Sequence, residues 1–99
     1  MKRGIPSEIC GVKAIVADTF LSRMRGLLGR DGLPAGEGML IMRCNAIHTF
    51  FMRFAIDAIF LDAGFKPVKT VRAIKPWRFC VWGGPRARHV LEIESDVSR

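Results

Sequence analysis

The chain is poor in cysteine, short of acids and without a membrane-length apolar run, and each shortage removes a class of protein. Its three cysteines, Cys10, Cys44 and Cys80, are odd in number and far apart in a chain of 99 residues. A disulfide-stapled secreted mini-domain carries an even and denser set. The expectation is therefore free, mostly buried thiols in a reducing cytoplasm, with one disulfide plus one thiol as the alternative. The longest apolar stretch, Ala46 to Leu61, is 16 residues long and is interrupted by His48, Arg53 and Asp57. A membrane-spanning helix needs about 20 apolar residues, so this stretch belongs to a core. Met1-Lys2-Arg3 is basic like the start of an export signal, but Pro6, Ser7 and Glu8 stand where the apolar segment of a signal belongs. The expected location is the cytoplasm.

Catalytic and cofactor signatures are missing too. There is no Cys-x-x-Cys and no His-x-x-x-His, so neither a metal nor a cofactor is expected. No nucleophile elbow and no dinucleotide fingerprint occurs, and the glycine-rich GRDGLPAGEG of residues 29–38 lacks the Lys-Ser/Thr ending of a phosphate loop. Repeats, low-complexity tracts and internal linkers are absent.

What remains is an apolar, basic domain. Apolar residues make up 49% of the chain, which excludes disorder, and residues 1–99 form one domain with one core. Sixteen Lys and Arg against nine Asp and Glu give a formal charge of +7. Three of the acids, Glu92, Glu94 and Asp96, crowd the C-terminal end, so the body of the domain is more cationic than the total.

Periodicity predicts a mostly β fold. Ile9 to Ala17 reads as a first strand with Gly11 weakening its middle. Phe20, Leu21, Met24, Leu27 and Leu28 fall on one helical face, predicting a short α-helix over 19–28 capped by Asp18 or Thr19 and ended by Gly29. Met39–Arg43, His48–Phe54, Ile56–Asp62, Pro67–Ile74 and Arg88–Ile93 read as strands, with a hairpin turn at Asp62-Ala63-Gly64. Ile56–Asp62 is apolar on both sides and so is sandwiched. Pro76 and Gly83-Gly84-Pro85 bracket a short aromatic segment from Trp77 to Trp82. Strands spaced by turns, without alternating helices, predict a compact β-sandwich or barrel.

Four groups carry possible chemistry. Asp57 sits among apolar neighbours, and a buried carboxylate must be paired or hydrogen-bonded; it is either a structural group fixing a turn or bulge, or a ligand-binding acid. It can meet Arg53 only if the chain bends near Phe54-Ala55, because the two stand about 13 Å apart on a straight strand. His48 shares a side with Phe50, Met52 and Phe54 if that strand is regular, which reads as a core histidine or a ligand. Cys44, His48 and Asp57 supply the residue types of a thiol or hydrolytic site, without a spacing that makes them converge. Lys66, Lys69, Arg72, Lys75, Arg78, Arg86 and Arg88 alternate with Trp77, Phe79 and Trp82. Bases interleaved with aromatics suit a phosphate backbone with stacked bases, although the tryptophans can equally close one end of the core.

Longer motifs add a resemblance. ADTFLSRMRGLLGR at 17–30 with GML at 38–40, IHTFFMRFAIDAIFLD at 47–62, Pro76-Trp77-Arg78 and Val90-Leu91-Glu92 resemble the family known as domain of unknown function 192 over roughly residues 13–93. The resemblance implies a β-sandwich or barrel of jelly-roll character with a short helix, and no established activity. Its recurring positions fall on Arg23, Gly26, His48, Met52, Asp57 and Glu92. Ala55 replaces a proline common in the family. The last family strand is missing after Glu94, which implies an open sheet edge and a homodimer paired through it.

The leading expectation is a non-catalytic ligand-binding or accessory module, with His48, Arg53, Asp57, Trp77 and Arg78 around a small anionic or polyhydroxylated ligand. The first alternative is a nucleic-acid-binding module using Lys66, Lys69, Arg72, Lys75, Arg78, Trp82, Arg86 and Arg88. The second is a hydrolytic or thiol enzyme around Cys44, His48 and Asp57.

Overall fold

A computed structural model describes residues 5–17 and 30–96. The expected helix over 19–28, with Arg23 and Gly26, lies outside the described residues. The described chain forms eight strands: β1 (Glu8–Ile9), β2 (Val12–Ala17), β3 (Glu37–Ile41), β4 (Ala46–Ile47), β5 (Ile56–Leu61), β6 (Pro67–Ile74), β7 (Val81–Trp82) and β8 (His89–Glu94). Six of them make one sheet in the order β1-β2-β3-β8-β5-β6, and β4 and β7 pair as a separate two-stranded ribbon. The large sheet curls into a half-barrel. The mostly β expectation holds.

Alternation along the central strands explains why both faces of the sheet are covered. Ile56, Ala58 and Phe60 of β5 join Met39, Ile41, Val90 and Ile74 in the main core, closed by Ile47 and Val81 of the ribbon and by Met52 and Phe54. Leu61 of β5 joins Leu40, Met42, Leu91 and Ile9 on the opposite face. A strand buried on both sides must be apolar on both sides, as Ile56–Leu61 is.

The structure corrects the expected strands in two places. The segment Ile9–Ala17 is two strands, because Cys10 (φ 55°) and Gly11 (φ 80°) both adopt left-handed backbone and reverse the chain. Ile9 then pairs with Val12, giving a two-residue hairpin of the kind that needs positive φ at both central positions. The apolar run His48–Phe54 is a loop, turned by the left-handed Phe51 (φ 65°). β2 pairs with β3 in parallel, Lys13 opposite Glu37 through Ala17 opposite Ile41, in an otherwise antiparallel sheet.

β8 is central, flanked by β3 and β5, and the sheet's edges are β1 and β6. β6 begins at Pro67, is bulged against β5 and carries Lys69 and Arg72, all of which discourage edge pairing. Among the described residues, no helix is long and apolar enough to cross a membrane.

The ribbon is held against the main core by a glycine. A Cβ on Gly83 would overlap the ring of Phe60 and crowd the Ala87 methyl, and Phe60 is fully buried with no room to turn. Gly83→Ala is expected to destabilise the domain by about 3 kcal/mol, the upper end of ordinary overpacking. Denaturant unfolding would show a lower midpoint at an unchanged slope.

Candidate functional site

Two loops meet beyond the end of the ribbon, one leaving β4 and one entering β7, and a single buried threonine joins them. Thr49 is fully buried. Its hydroxyl donates to the Lys75 carbonyl at 2.7 Å and accepts from the Arg78 N–H at 2.8 Å. Its backbone N–H donates to the Arg78 carbonyl, and its carbonyl accepts from Trp77 and Met52. The sequence signal for this clasp is a polar residue inside the apolar run Ile47–Met52, which a period of two does not single out.

The clasp sets aromatic rings on the surface. Among the described residues, the exposed large apolar side chains are Phe51, Trp77, Phe79 and Trp82, with Trp77 at 59% and Phe79 at 80% exposure. Phe51 and Trp77 lie with ring centres 4.7 Å apart, and the half-buried Phe50 touches Trp77, Phe79 and His48 at 6.0, 6.1 and 5.2 Å. Both Phe51 and Trp77 (φ 71°) occupy left-handed backbone, which is strained for bulky residues. Trp82 points outward from β7 while Val81 points inward. Lys69 reaches across from β6 to donate to the Trp82 carbonyl at 2.8 Å. The tryptophans therefore do not close the core; they stand outside it.

The expected ligand set is divided by the structure. His48 and Trp77 come together through Phe50, and the Arg78 backbone is clasped beside them, but His48 is exposed and does not share a side with Met52 and Phe54, which are buried. The cause is the loop: without a regular strand there is no period-2 face. Arg53 pairs with Asp31 at 2.8 Å on the surface. Asp57 accepts from the Ala73 N–H at 2.8 Å, with Arg72 4.0 Å away. Ala73 is itself left-handed (φ 55°), and Asp57 sits where the β5–β6 register slips, so its carboxylate fixes the bulge. Cys44 donates its thiol proton to the Ala46 carbonyl at 3.1 Å, and His48 accepts from the Phe50 N–H, so Cys44, His48 and Asp57 are each engaged with separate partners. None of the three cysteines is in a disulfide. No group of three or more His, Cys, Asp or Glu among the described residues is arranged to hold a metal.

The basic side chains of the alternative set, Lys66, Lys69, Arg72, Lys75, Arg78, Arg86 and Arg88, are all exposed. Five of them fall into two groups. Lys69, Lys75 and Arg78 border the aromatic surface, whereas Arg86 and Arg88 flank a cleft made by residues 43–45, Ala63 and 87–89.

Fold and surface together define a small curled β domain with its aromatic and cationic groups presented outward. The chain belongs to the DUF192 family, described as "Uncharacterized ACR", whose profile matches residues 5–99. It is 41% identical over 80 residues to the UPF0127 protein PH1112 of Pyrococcus horikoshii, covering 78% of this chain and 68% of that one. A UPF0127 protein of Thermococcus sibiricus is 41% identical over 81 residues, covering 78% of this chain and 51% of its own length. Among solved structures, a protein of unknown function from Novosphingobium aromaticivorans superposes with TM-score 0.78 at 20% identity, covering 87% of this chain and 65% of that one. The chain thus spans from about half to about two-thirds of these relatives' lengths. At such identity the structural likeness establishes the fold.

Proposed function

We propose that this domain is a non-catalytic binding module whose aromatic and cationic surface takes single-stranded nucleic acid. One observation carries the reading: the exposed rings Phe51, Trp77 and Phe79 cluster about Phe50, Lys75 and Arg78 stand on the same loop as Trp77, and the exposed Trp82 has its carbonyl held by Lys69. Neither residues 48–53 nor residues 75–82 contain an acid. Exposed large rings are unfavourable in water, and their loops are held in strained backbone. Rings for stacking bases, with cations for the backbone and no acid within either loop, are the chemistry of a sequence-tolerant single-strand surface.

The test is a titration with single-stranded oligonucleotides at about 50 and 200 mM salt, reading anisotropy and tryptophan fluorescence together. Binding that persists at the higher salt with quenched tryptophan is expected. Trp77→Ala should weaken it about tenfold or more, in line with about 1–3 kcal/mol per stacked base. Arg78→Ala should weaken it across all sequences and lower the salt slope by about 1. Binding that vanishes at the higher salt without quenching, or that ignores Trp77→Ala, would reduce the surface to unspecific cationic attraction.

A further inference from the structure

Beyond the other end of the β4–β7 ribbon lies a cleft of about 490 Å³, lined by Arg43, Cys44, Asn45, Arg88, His89 and two alanines. That volume falls in the range of small-molecule sites, about 300–1,000 Å³. Its residues come from three separate segments, and no carboxylate is among the described residues that line it. Asp62, in the adjoining hollow, is committed to its own turn, where Oδ1 accepts from the Gly64 and Lys66 N–H groups at 2.9 and 3.0 Å.

The donors of the cleft are pre-positioned. Arg88 uses only Nη1 in the protein, donating to the Pro85 and Ala87 carbonyls at 3.0 Å each. This anchors the guanidinium and leaves its Nη2 and Nε donors without an acceptor among the described residues. That pair is the edge with which arginine grips an oxyanion side-on. His89 stacks on Phe65 with ring centres 4.7 Å apart and planes 11° apart, and its Nδ1 accepts the Arg43 N–H at 3.0 Å. The neutral ring therefore carries its proton on Nε2, a further donor. Partial burial first, then the charges of Arg43 and Arg88, push the His89 pKa down, against a smaller opposing pull from Asp62. Both guanidinium charges are thus felt at the imidazole.

We propose that this cleft binds a phosphate group, held side-on by Arg88 and completed by the charge of Arg43 and the Nε2–H of His89. A tetrahedral oxyanion, with several acceptor oxygens, matches the open edge of Arg88 and the Nε2–H of His89 better than a single carboxylate does. The site stands independently of the nucleic-acid surface and can hold a free phosphate ester or the phosphorylated end of a strand.

The chain has only two histidines, His48 and His89, so proton NMR gives a direct test. Their titrations would be followed with and without about 20 mM inorganic phosphate at matched ionic strength, where an opposite charge a few ångströms away raises a pKa by about one unit or more. His89 is expected to rise by that amount while His48 stays nearly fixed. Arg88→Ala should abolish the response and weaken phosphate binding at least tenfold, a loss of about 1.4 kcal/mol. Arg88→Lys, which keeps the charge and stem but loses the fork, should weaken it too and serves if Arg88→Ala fails to fold. Arg72→Ala, on β6, should leave the response intact. Equal movement of both histidines, no movement of His89, or an unchanged response in both Arg88 variants would overturn the proposal. Comparing 5′-phosphorylated with 5′-hydroxyl oligonucleotides separates the sources: preference for the phosphorylated strand assigns the cleft to strand ends, and indifference assigns it to free phosphate esters.

Discussion

Glu92→Gln is expected to raise the melting temperature at pH 8 by roughly 12 °C or more while leaving it unchanged near pH 4. Glu92 lies on β8 between Met39 of β3 and Ala58 of β5, at 3% exposure, facing the main core with Val90. Its carboxyl has no hydrogen-bond or ion-pair partner among the described residues. Desolvation pushes its pKa from the ordinary 4.5 up to about 7. Below 4.5 the carboxyl is protonated in folded and unfolded chains alike and adds no pH dependence. Between 4.5 and about 7 the unfolded chain releases the proton and the folded chain retains it, so stability falls with each unit of pH. Above 7 both forms are ionised and the full penalty remains, about 3 kcal/mol at about 1.4 kcal/mol per unit. Glutamine keeps the shape and the neutral polarity of the protonated acid, so it should reproduce the acid limb of the wild-type curve at every pH. Thermal melts of both proteins from pH 4 to 8 check this. Parallel curves would mean that the carboxylate is held charged by a partner.

An uncompensated carboxyl gives the core nothing that leucine or methionine would not supply better. Acids with raised pKa values concentrate where a protein binds or moves a proton. Glu94 points to the same face and holds the chain at Leu33, whose N–H it accepts at 2.8 Å. Neither placement is legible in the sequence: Glu92 is there one position of a motif, and nothing in the order Val90-Leu91-Glu92 says which face of a central strand it takes.

The sequence disclosed those parts of the fold that a period of two can encode. β5 was legible because Ile56 to Leu61 is apolar on both sides, and its hairpin with β6 because Asp62-Ala63-Gly64 supplies the turn. The same rule misled at His48–Phe54, where the apolar residues have three different fates: Met52 and Phe54 anchor the loop, Phe50 supports the ring cluster, and Phe51 faces solvent. Hydrophobicity alone cannot separate an anchoring ring from a presented one. The left-handed turn at Cys10-Gly11 was half visible, through the glycine only. At the candidate surface, the interleaving of bases and aromatics located Trp77, Arg78 and Trp82, because that signal is contiguous. Asp57 joins them in the sequence only through its apolar setting and its motif position, and Arg53 as the base nearest to it, and the loop and the β5–β6 bulge give each a separate partner. The cleft was missed because Arg43, Ala63 and His89 meet only after β3, β5 and β8 lie side by side.

Thr49→Val is expected to destabilise the domain by about 2–4 kcal/mol and to disperse the aromatic surface. Valine fits the space of threonine but removes a hydroxyl that is donor and acceptor at once. The Lys75 carbonyl loses its 2.7 Å donor and the Arg78 N–H its 2.8 Å acceptor, both part-buried. An unsatisfied buried polar group costs about 1–3 kcal/mol, and two are created here. The backbone bonds of Thr49 to Trp77 and Arg78 survive the substitution, so the loops stay near one another but lose the bonds that fix their spacing. At a temperature well below the melting point, the variant should therefore bind single-stranded oligonucleotide more weakly and quench less, because Phe51 and Trp77 no longer hold a common platform. Thr49→Ser retains the hydroxyl and should recover most of both properties. If denaturant unfolding finds the valine variant as stable as the parent, the clasp is not what holds these loops, and the aromatic surface would have to rest on ring contacts alone.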